Sequence, residues 1–323
     1  QMCIRDRTTI CLAITLLISI GSASRFSLSL GEGDADRAAQ AVGNALAMMV
    51  LFGILYTLCI EIFLVPLLNA FGATQDVLPY AIEYTRITAV GMPLLIITNG
   101  MSNLARADGS PNYSMMCMLI GAIINTILDP LFIFKFHMGV RGAAFATVIG
   151  QFFSFLMALY YVKKFTHIRL KKQHFILKPQ VCLNIASLGM SNCLNQVAIT
   201  FVQIVMNNSM TYYGAKTIYG SEIPLAASGI VMKTNGILLS VIIGLSQGSQ
   251  PIIGFNYGAK QYDRVRGTYR LAISCNLVVS AIGFVLFQFF PKQIISLFGT
   301  GDELYFTCLL YTSPSPRDAH ESR

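Results

Sequence analysis

The chain is 323 residues long with 54% hydrophobic and only 12% charged residues, where a soluble domain carries roughly a quarter charged. Together with a mean hydropathy of +0.60, that balance excludes disorder, a coiled coil and an ordinary water-soluble enzyme. The formal charge of +8 calls for no nucleic acid, because the basic residues fall in short gaps between apolar runs, where the positive-inside rule places them. Eight cysteines without a Cys-x-x-Cys spacing indicate neither a disulfide framework nor a metal site.

A bilayer core about 30 Å thick needs roughly 20 apolar residues per crossing at a helical rise of about 1.5 Å. Residues 1–7 carry no signal-peptide pattern and read as a non-native lead. Apolar runs then follow at 8–24, 38–65, 80–103, 113–134, 140–162, 182–211, 223–248 and 268–290, which predicts an all-α polytopic membrane protein of eight crossings. Residues 308–323 drop abruptly into Ser, Pro and charge and read as a non-native tail.

Orientation comes from the gaps. With the Arg25/Arg37 gap inside, alternation gathers thirteen Lys/Arg on that side: Arg25, Arg37, Arg106, Lys163, Lys164, Arg169, Lys171, Lys172, Lys178, Lys260, Arg264, Arg266 and Arg270. The outer gaps hold four, Lys135, Arg141, Lys216 and Lys292. That bias sets the topology.

An internal echo gives the organisation. Gly33-Asp34-Ala35-Asp36-Arg37 followed by Ala45-Leu46 resembles Gly258 through Asp263-Arg264 followed by Ala272-Ile273, each opening an apolar helix from an inside gap. The copies stand six crossings apart in the same orientation, which predicts a duplicated six-helix bundle. On that pattern a twelve-helix parent is expected, with one crossing absent at the front and three at the back.

Ionisable groups at membrane depth cost about 2.5 to 3.5 kcal/mol each on insertion scales, so each needs a reason. Asp129 follows Asn125 by one helical turn on the same face of crossing four, and Pro130 cannot donate a hydrogen bond to the Thr126 carbonyl. A carboxylate, an amide oxygen and a free carbonyl form a hard-oxygen set suited to Na⁺ or to a proton; helix packing is the competing reading. On crossing six Asn192, Gln196, Gln203 and Asn207 lie within about 60° of one another, with Thr200 at the edge. Such a stripe lines a cavity or glues helices together. Lys233, near the middle of crossing seven, is expected either to pair with a carboxylate or the amide stripe or to be partly neutral, in a functional or gating role, with packing as the competing reading. Glu61, Glu83 and Arg86 read as interfacial, and His137, His167, His174 and His320 as loop or tail residues offering neither a metal site nor a buried proton relay.

Four motifs carry a family resemblance: the Gly-Glu-Gly-Asp loop at 31–34 containing Gly33; Asn125-x-x-x-Asp129-Pro130; Gly139-Val140-Arg141-Gly142-Ala143-Ala144-x-Ala146-Thr147; and the run with Gln247, Gln250, Asn256 and Gly258. In this order they resemble the multidrug and toxic compound extrusion family in its bacterial drug-efflux branch, over about residues 10–307. The resemblance implies two six-helix lobes: an N-lobe at 8–164 lacking its first helix, a basic cytoplasmic inter-lobe loop at 165–181, and a partial C-lobe at 182–307. It implies Asn125, Asp129 and Thr147 as the N-lobe cation-coupling site, and it implies Gly33, Gln247, Gln250, Asn256 and Gly258 as motif-loop residues. The implied activity is H⁺- or Na⁺-coupled antiport of lipophilic, often cationic compounds across a bacterial cytoplasmic membrane. The lipid bilayer and small-molecule substrates are then the partners, with no nucleic acid, no obligatory protein partner and no cofactor beyond the coupling ion. A Gly-x-x-x-x-Gly-Lys-Ser/Thr loop is absent from the sequence, so an ion gradient is the expected energy source. A lipid-linked saccharide flippase and a non-functional fragment are the alternatives; a membrane enzyme would require clustered His, Asp or Glu, which the sequence does not offer.

Overall fold

The computed structural model describes residues 2–66, 78–214, 222–290 and 293. These form α1 (Met2–Gly31), α2 (Ala35–Ile62), α3 (Leu78–Ala107), α4 (Pro111–Pro130), α5 (Gly139–Tyr161), α6 (Pro179–Gly214), α7 (Glu222–Gly258) and α8 (Tyr262–Phe289). Each of the eight contains a stretch long and apolar enough to cross a membrane, so the all-α polytopic reading holds. Residues 2–7, expected to be foreign, continue α1 as helix, while 308–323 lie outside the described residues.

The first connection shows how local chemistry sets the helix ends. Gly33 adopts φ +80°, a left-handed conformation open to glycine without penalty. The Gly33 N–H donates to the Leu30 carbonyl at 3.1 Å and the Asp34 N–H to the Ser29 carbonyl at 3.0 Å. This pair of hydrogen bonds closes the C-terminus of α1. Asp34 then turns to the other task, its carboxylate accepting from the Arg37 N–H at 2.9 Å to cap α2. The same device ends α3, where Gly109 at φ +84° precedes Pro111 at the first turn of α4. At the far end of α4, Pro130 ends the α register and Leu131–Lys135 winds as a π turn, with the Phe136 N–H donating to Leu131 O at 3.1 Å.

The chain forms two compact units, Gln1–Thr200 with Gln250–Val265, and Phe201–Ser249 with Arg266–Arg323 as far as they are described. In the first unit the helices pack closely. Gly189 of α6 faces the Leu17 carbonyl and Gly21 of α1 faces the Ile185 carbonyl, with no room at either for a Cβ. Small residues at such a crossing let backbones approach where lipid supplies no hydrophobic drive. Buried Ile18, Phe26, Val42, Met49, Ile96, Met101 and Leu104 fill the space between α1, α2 and α3.

The 165–181 segment is accordingly no free linker. Asp108, with a fully buried side chain, accepts from Tyr161 Oη at 2.9 Å and the Thr166 N–H at 2.9 Å and contacts His167 Nδ1 at 2.9 Å. Farther along, fully buried Asn44 of α2 donates to the His174 carbonyl at 3.0 Å and accepts from the Lys178 N–H at 2.7 Å. His174 itself is 2% exposed, with Nε2 3.2 Å from Asp36 Oδ1. His174 lies in a connection between helices, as expected of the histidines, and is buried there. Its short 3-10 turn, Lys172–Phe175, is fixed by partners far away in sequence.

In the second unit, Gln203 Nε2 lies 3.5 Å from Met232 Sδ, Asn276 Nδ2 donates to Ser246 Oγ at 3.3 Å, and Gly283 abuts the Leu238 side chain.

Candidate functional site

The residues expected to form a cation site come together in the first unit. Helical spacing puts Asn125 and Asp129 on one face of α4, and α5 runs beside it in close contact, so Thr147 is brought level with them. The close approach comes from Gly121 and Gly150, which abut each other's carbonyl oxygens. Asn125 Nδ2 donates to Asp129 Oδ1 at 3.3 Å and to Thr147 Oγ1 at 3.4 Å. Thr147 Oγ1 donates in turn to the Ala143 carbonyl at 2.9 Å, which leaves its lone pairs turned toward the amide.

Both side-chain bonds are long for N–H···O, whose usual distance is about 2.9 to 3.0 Å, so one amide group is shared between two acceptors without strong preference. Carboxylate, amide and hydroxyl are each half-buried. A cavity of about 230 Å³ opens beside Asn125 and Thr147 and reaches Asn99, Gln151 and Ser154. Gln151 Oε1 is buried there with no hydrogen-bond partner among the described residues. Asp129 does not line this cavity; it stands one turn farther along α4, behind Asn125.

The donor set fits a cation in two ways. With Asn125 turned as described, its N–H bonds Asp129 Oδ1, an oxygen at which an arriving proton would compete. Turning the amide over exchanges Nδ2 for Oδ1, a choice set by the hydrogen-bond network. Carboxylate, amide and hydroxyl oxygens then converge, the hard ligands that an alkali cation prefers.

The amide stripe lies on one uninterrupted helix, α6, as its spacing requires. Asn192, Gln196 and Gln203 are half-buried, the Gln196 carbonyl accepts from Thr200 Oγ1 at 2.8 Å, and the side chain of Asn207 lies outside the described residues. Lys233 is exposed on α7, and among the described residues no carboxylate forms an ion pair with it. The expected interfacial charges do pair, Arg86 with Glu61 at 3.5 Å and Arg141 with Glu83.

One expectation is corrected. Gln247, Gln250 and Asn256 are helical residues of α7, which continues through Pro251 to Gly258. Hydropathy falls at these amides and so suggests a loop, but a helix satisfies its own backbone whatever its side chains. Gln250 Nε2 donates to Ser24 Oγ of α1 at 2.7 Å, Asn256 is 8% exposed with Nδ2 on the Ile252 carbonyl, and Gly258 abuts the Leu28 carbonyl. These residues dock the end of α7 on α1. Gly33 alone remains in a loop.

Sequence reasoning missed Asp108 and Asn44. Asp108 is a lone acid in a turn, and its partners stand 53 to 59 residues away, so no local pattern marks it.

The MatE family model matches residues 7–131 and 186–313. The probable multidrug resistance protein YoeA of Bacillus subtilis is 24% identical over 305 residues, covering 91% of this chain and 64% of that protein. The FAD transporter of Shewanella oneidensis is 26% identical over 318 residues, covering 92% and 65%. The chain therefore spans about two thirds of the length of these relatives. Among solved structures, a MATE transporter crystallised in its straight conformation superposes with a TM-score of 0.84 at 22% identity, over 94% of this chain and 66% of that one. The motifs, the eight helices and the matched segments agree: the chain belongs to the MatE family, the multidrug and toxic compound extrusion transporters.

Proposed function

We propose that this protein contributes to a cation-coupled exporter in a bacterial cytoplasmic membrane, in which H⁺ or Na⁺ entering at Asp129 drives release of lipophilic, often cationic compounds. The observation that carries the reading is the meeting of Asn125, Asp129 and Thr147 on two apolar helices beside a polar cavity. A carboxylate is retained at membrane depth against a cost of about 2.5 to 3.5 kcal/mol, and coupling gives it a use.

In this reading Asp129 holds the charge that alternates, and Asn125 adapts to it. The amide donates to the ionised carboxylate and turns its oxygen toward a bound cation, while Thr147 supplies a hydroxyl fixed by its bond to Ala143. Neutralising Asp129 releases the Asn125 N–H, and Asn125 also borders the cavity. A change of charge state is thereby transmitted to the cavity wall. The names of the relatives include both a multidrug resistance protein and a FAD transporter, and the exposed methionines Met115, Met116 and Met118 of α4 offer soft, adaptable apolar surface. The methionine surface favours substrates chosen by shape and hydrophobicity over one precise ligand.

The test is Asp129→Asn in the chain extended to the length of its relatives and reconstituted in vesicles. Imposed proton or sodium gradients should drive efflux of a cationic dye from the parent protein and not from the variant, with insertion unchanged. Gradient-dependent efflux by the variant refutes the assignment, and a parent that flips lipid-linked saccharide and exports no dye replaces the function.

A further inference from the structure

The strap between α5 and α6 carries Lys163, Lys164, Arg169, Lys171, Lys172 and Lys178 and contains no carboxylate. Its fold sorts the side chains by direction. Ile168 is 6% exposed in the core of the first unit, with Phe165 and Leu170 packed against that core, and the Asp108 and Asn44 hydrogen bonds hold the backbone down. Phe175, Ile176 and Leu177 face outward, at 40%, 66% and 42% exposure. Lys164 lies over the Tyr113 ring and Lys178 Nζ donates to Gln40 Oε1. Arg169, Lys171 and Lys172 are exposed and form no salt bridge among the described residues.

We propose that this strap is a binding surface for anionic phospholipid on the inner leaflet: Arg169, Lys171 and Lys172 engage headgroup phosphates while Phe175, Ile176 and Leu177 enter the acyl boundary. Position supports it, since one membrane span ends at Tyr161 and the next begins at Pro179, which leaves the strap at the bilayer surface. Thirteen inner Lys/Arg against four outer place that surface inside. Charge complementarity selects the occupant. A soluble anion would use the cations and leave three large apolar side chains in water, and an apolar protein face would leave Arg169 and Lys172 without partners and Lys171 with only the nearby Asp36 charge. An anionic lipid surface satisfies both sets, the combination by which interfacial segments bind membranes. The buried anchors add preorganisation, because the strap is held in shape before any lipid arrives.

The chain contains no tryptophan, so Ile176→Trp installs a lone fluorescent reporter at an exposed position, and Leu177→Trp a second. Each variant is reconstituted in phosphatidylcholine–phosphatidylglycerol vesicles with bromine on the acyl chains of one lipid or the other. Quenching by both lipids is expected, with a preference for brominated phosphatidylglycerol that falls about fivefold for each cation removed in the Arg169→Gln, Lys171→Gln, Lys172→Gln series. Inorganic phosphate at matched ionic strength should leave that preference unchanged. The proposal is overturned if neither lipid quenches either reporter, which places the patch against protein or in water; if both quench equally; or if phosphate abolishes the preference, which makes it a site for the free anion.

Discussion

Replacing Asp108 with Asn should release the strap, and the effect can be sized from its contacts. The carboxylate side chain is 0% exposed and accepts from Tyr161 Oη and the Thr166 N–H at 2.9 Å each, with His167 Nδ1 at 2.9 Å on the other oxygen. Hydrogen bonds to a charged group contribute about 1.5 to 3 kcal/mol each. The His167 side chain is 54% exposed, so its share is discounted toward the 0 to 1 kcal/mol of a surface pair. Asn keeps one acceptor oxygen and turns an NH₂ toward donors on the other side. If the oxygen stays on Tyr161 and Thr166, the loss is the charge assistance to two bonds; if it turns to His167, two buried donors are orphaned. Either way strap opening becomes easier by about 1.5 to 3 kcal/mol, or roughly 10- to 150-fold in the opening constant. Trypsin reads this directly, because Arg169, Lys171 and Lys172 are cleavable once the strap lifts, and cleavage under rapid reclosing follows the open population. Cleavage in 163–178 should accelerate by at least about tenfold over the parent chain, while cuts in other loops keep their rates. An unchanged strap rate would show that Asp108 does not hold the segment; uniform acceleration everywhere would mean that the whole unit has loosened.

Gly189→Val should push α1 from α6, because the added side chain meets the Leu17 backbone carbonyl and not a yielding side chain; a loss of at least about 1 to 3 kcal/mol is expected, measured as an earlier loss of monodisperse protein on heating in detergent. Gly236→Ala is the control, with open space around it on α7, and should leave stability unchanged or raise it by up to about 1 kcal/mol. Gln203→Leu removes an amide whose described contact is the weak Met232 thioether acceptor at 3.5 Å, so protein yield should hold. If the stripe lines the substrate path, the ranking of exported dyes should change in the chain extended to the length of its relatives, whereas equal loss for all dyes with poor yield identifies packing glue.

Hydropathy alone placed all eight crossings, because a membrane helix must be apolar over about 20 residues and satisfies its own backbone bonds. The same locality makes Asn125 and Asp129 legible, since i and i+4 share a face in any helix. Gly33 and Asp34 mark a turn by residue type, yet hydropathy closed the first run at 24 and opened the second at 38, because Arg25 and Arg37 interrupt it. Where amides ran on into helix, as from Gln247 to Gly258, the scan stopped short, because it measures transfer to lipid and those side chains are docked on protein.

What the tertiary structure alone decided is which distant groups meet. That Thr147 stands 3.4 Å from the Asn125 amide depends on how closely α4 and α5 approach, a distance that the family motifs imply but no spacing within either helix contains. Asp108, Asn44 and His174 are ordinary loop and helix residues in sequence, and become anchors because a buried polar group must find its partner wherever the fold supplies one. Periodicity and hydropathy are properties of one segment and its solvent, whereas the fit of Gly189 against Leu17 belongs to a pair of segments and exists only once both are in place.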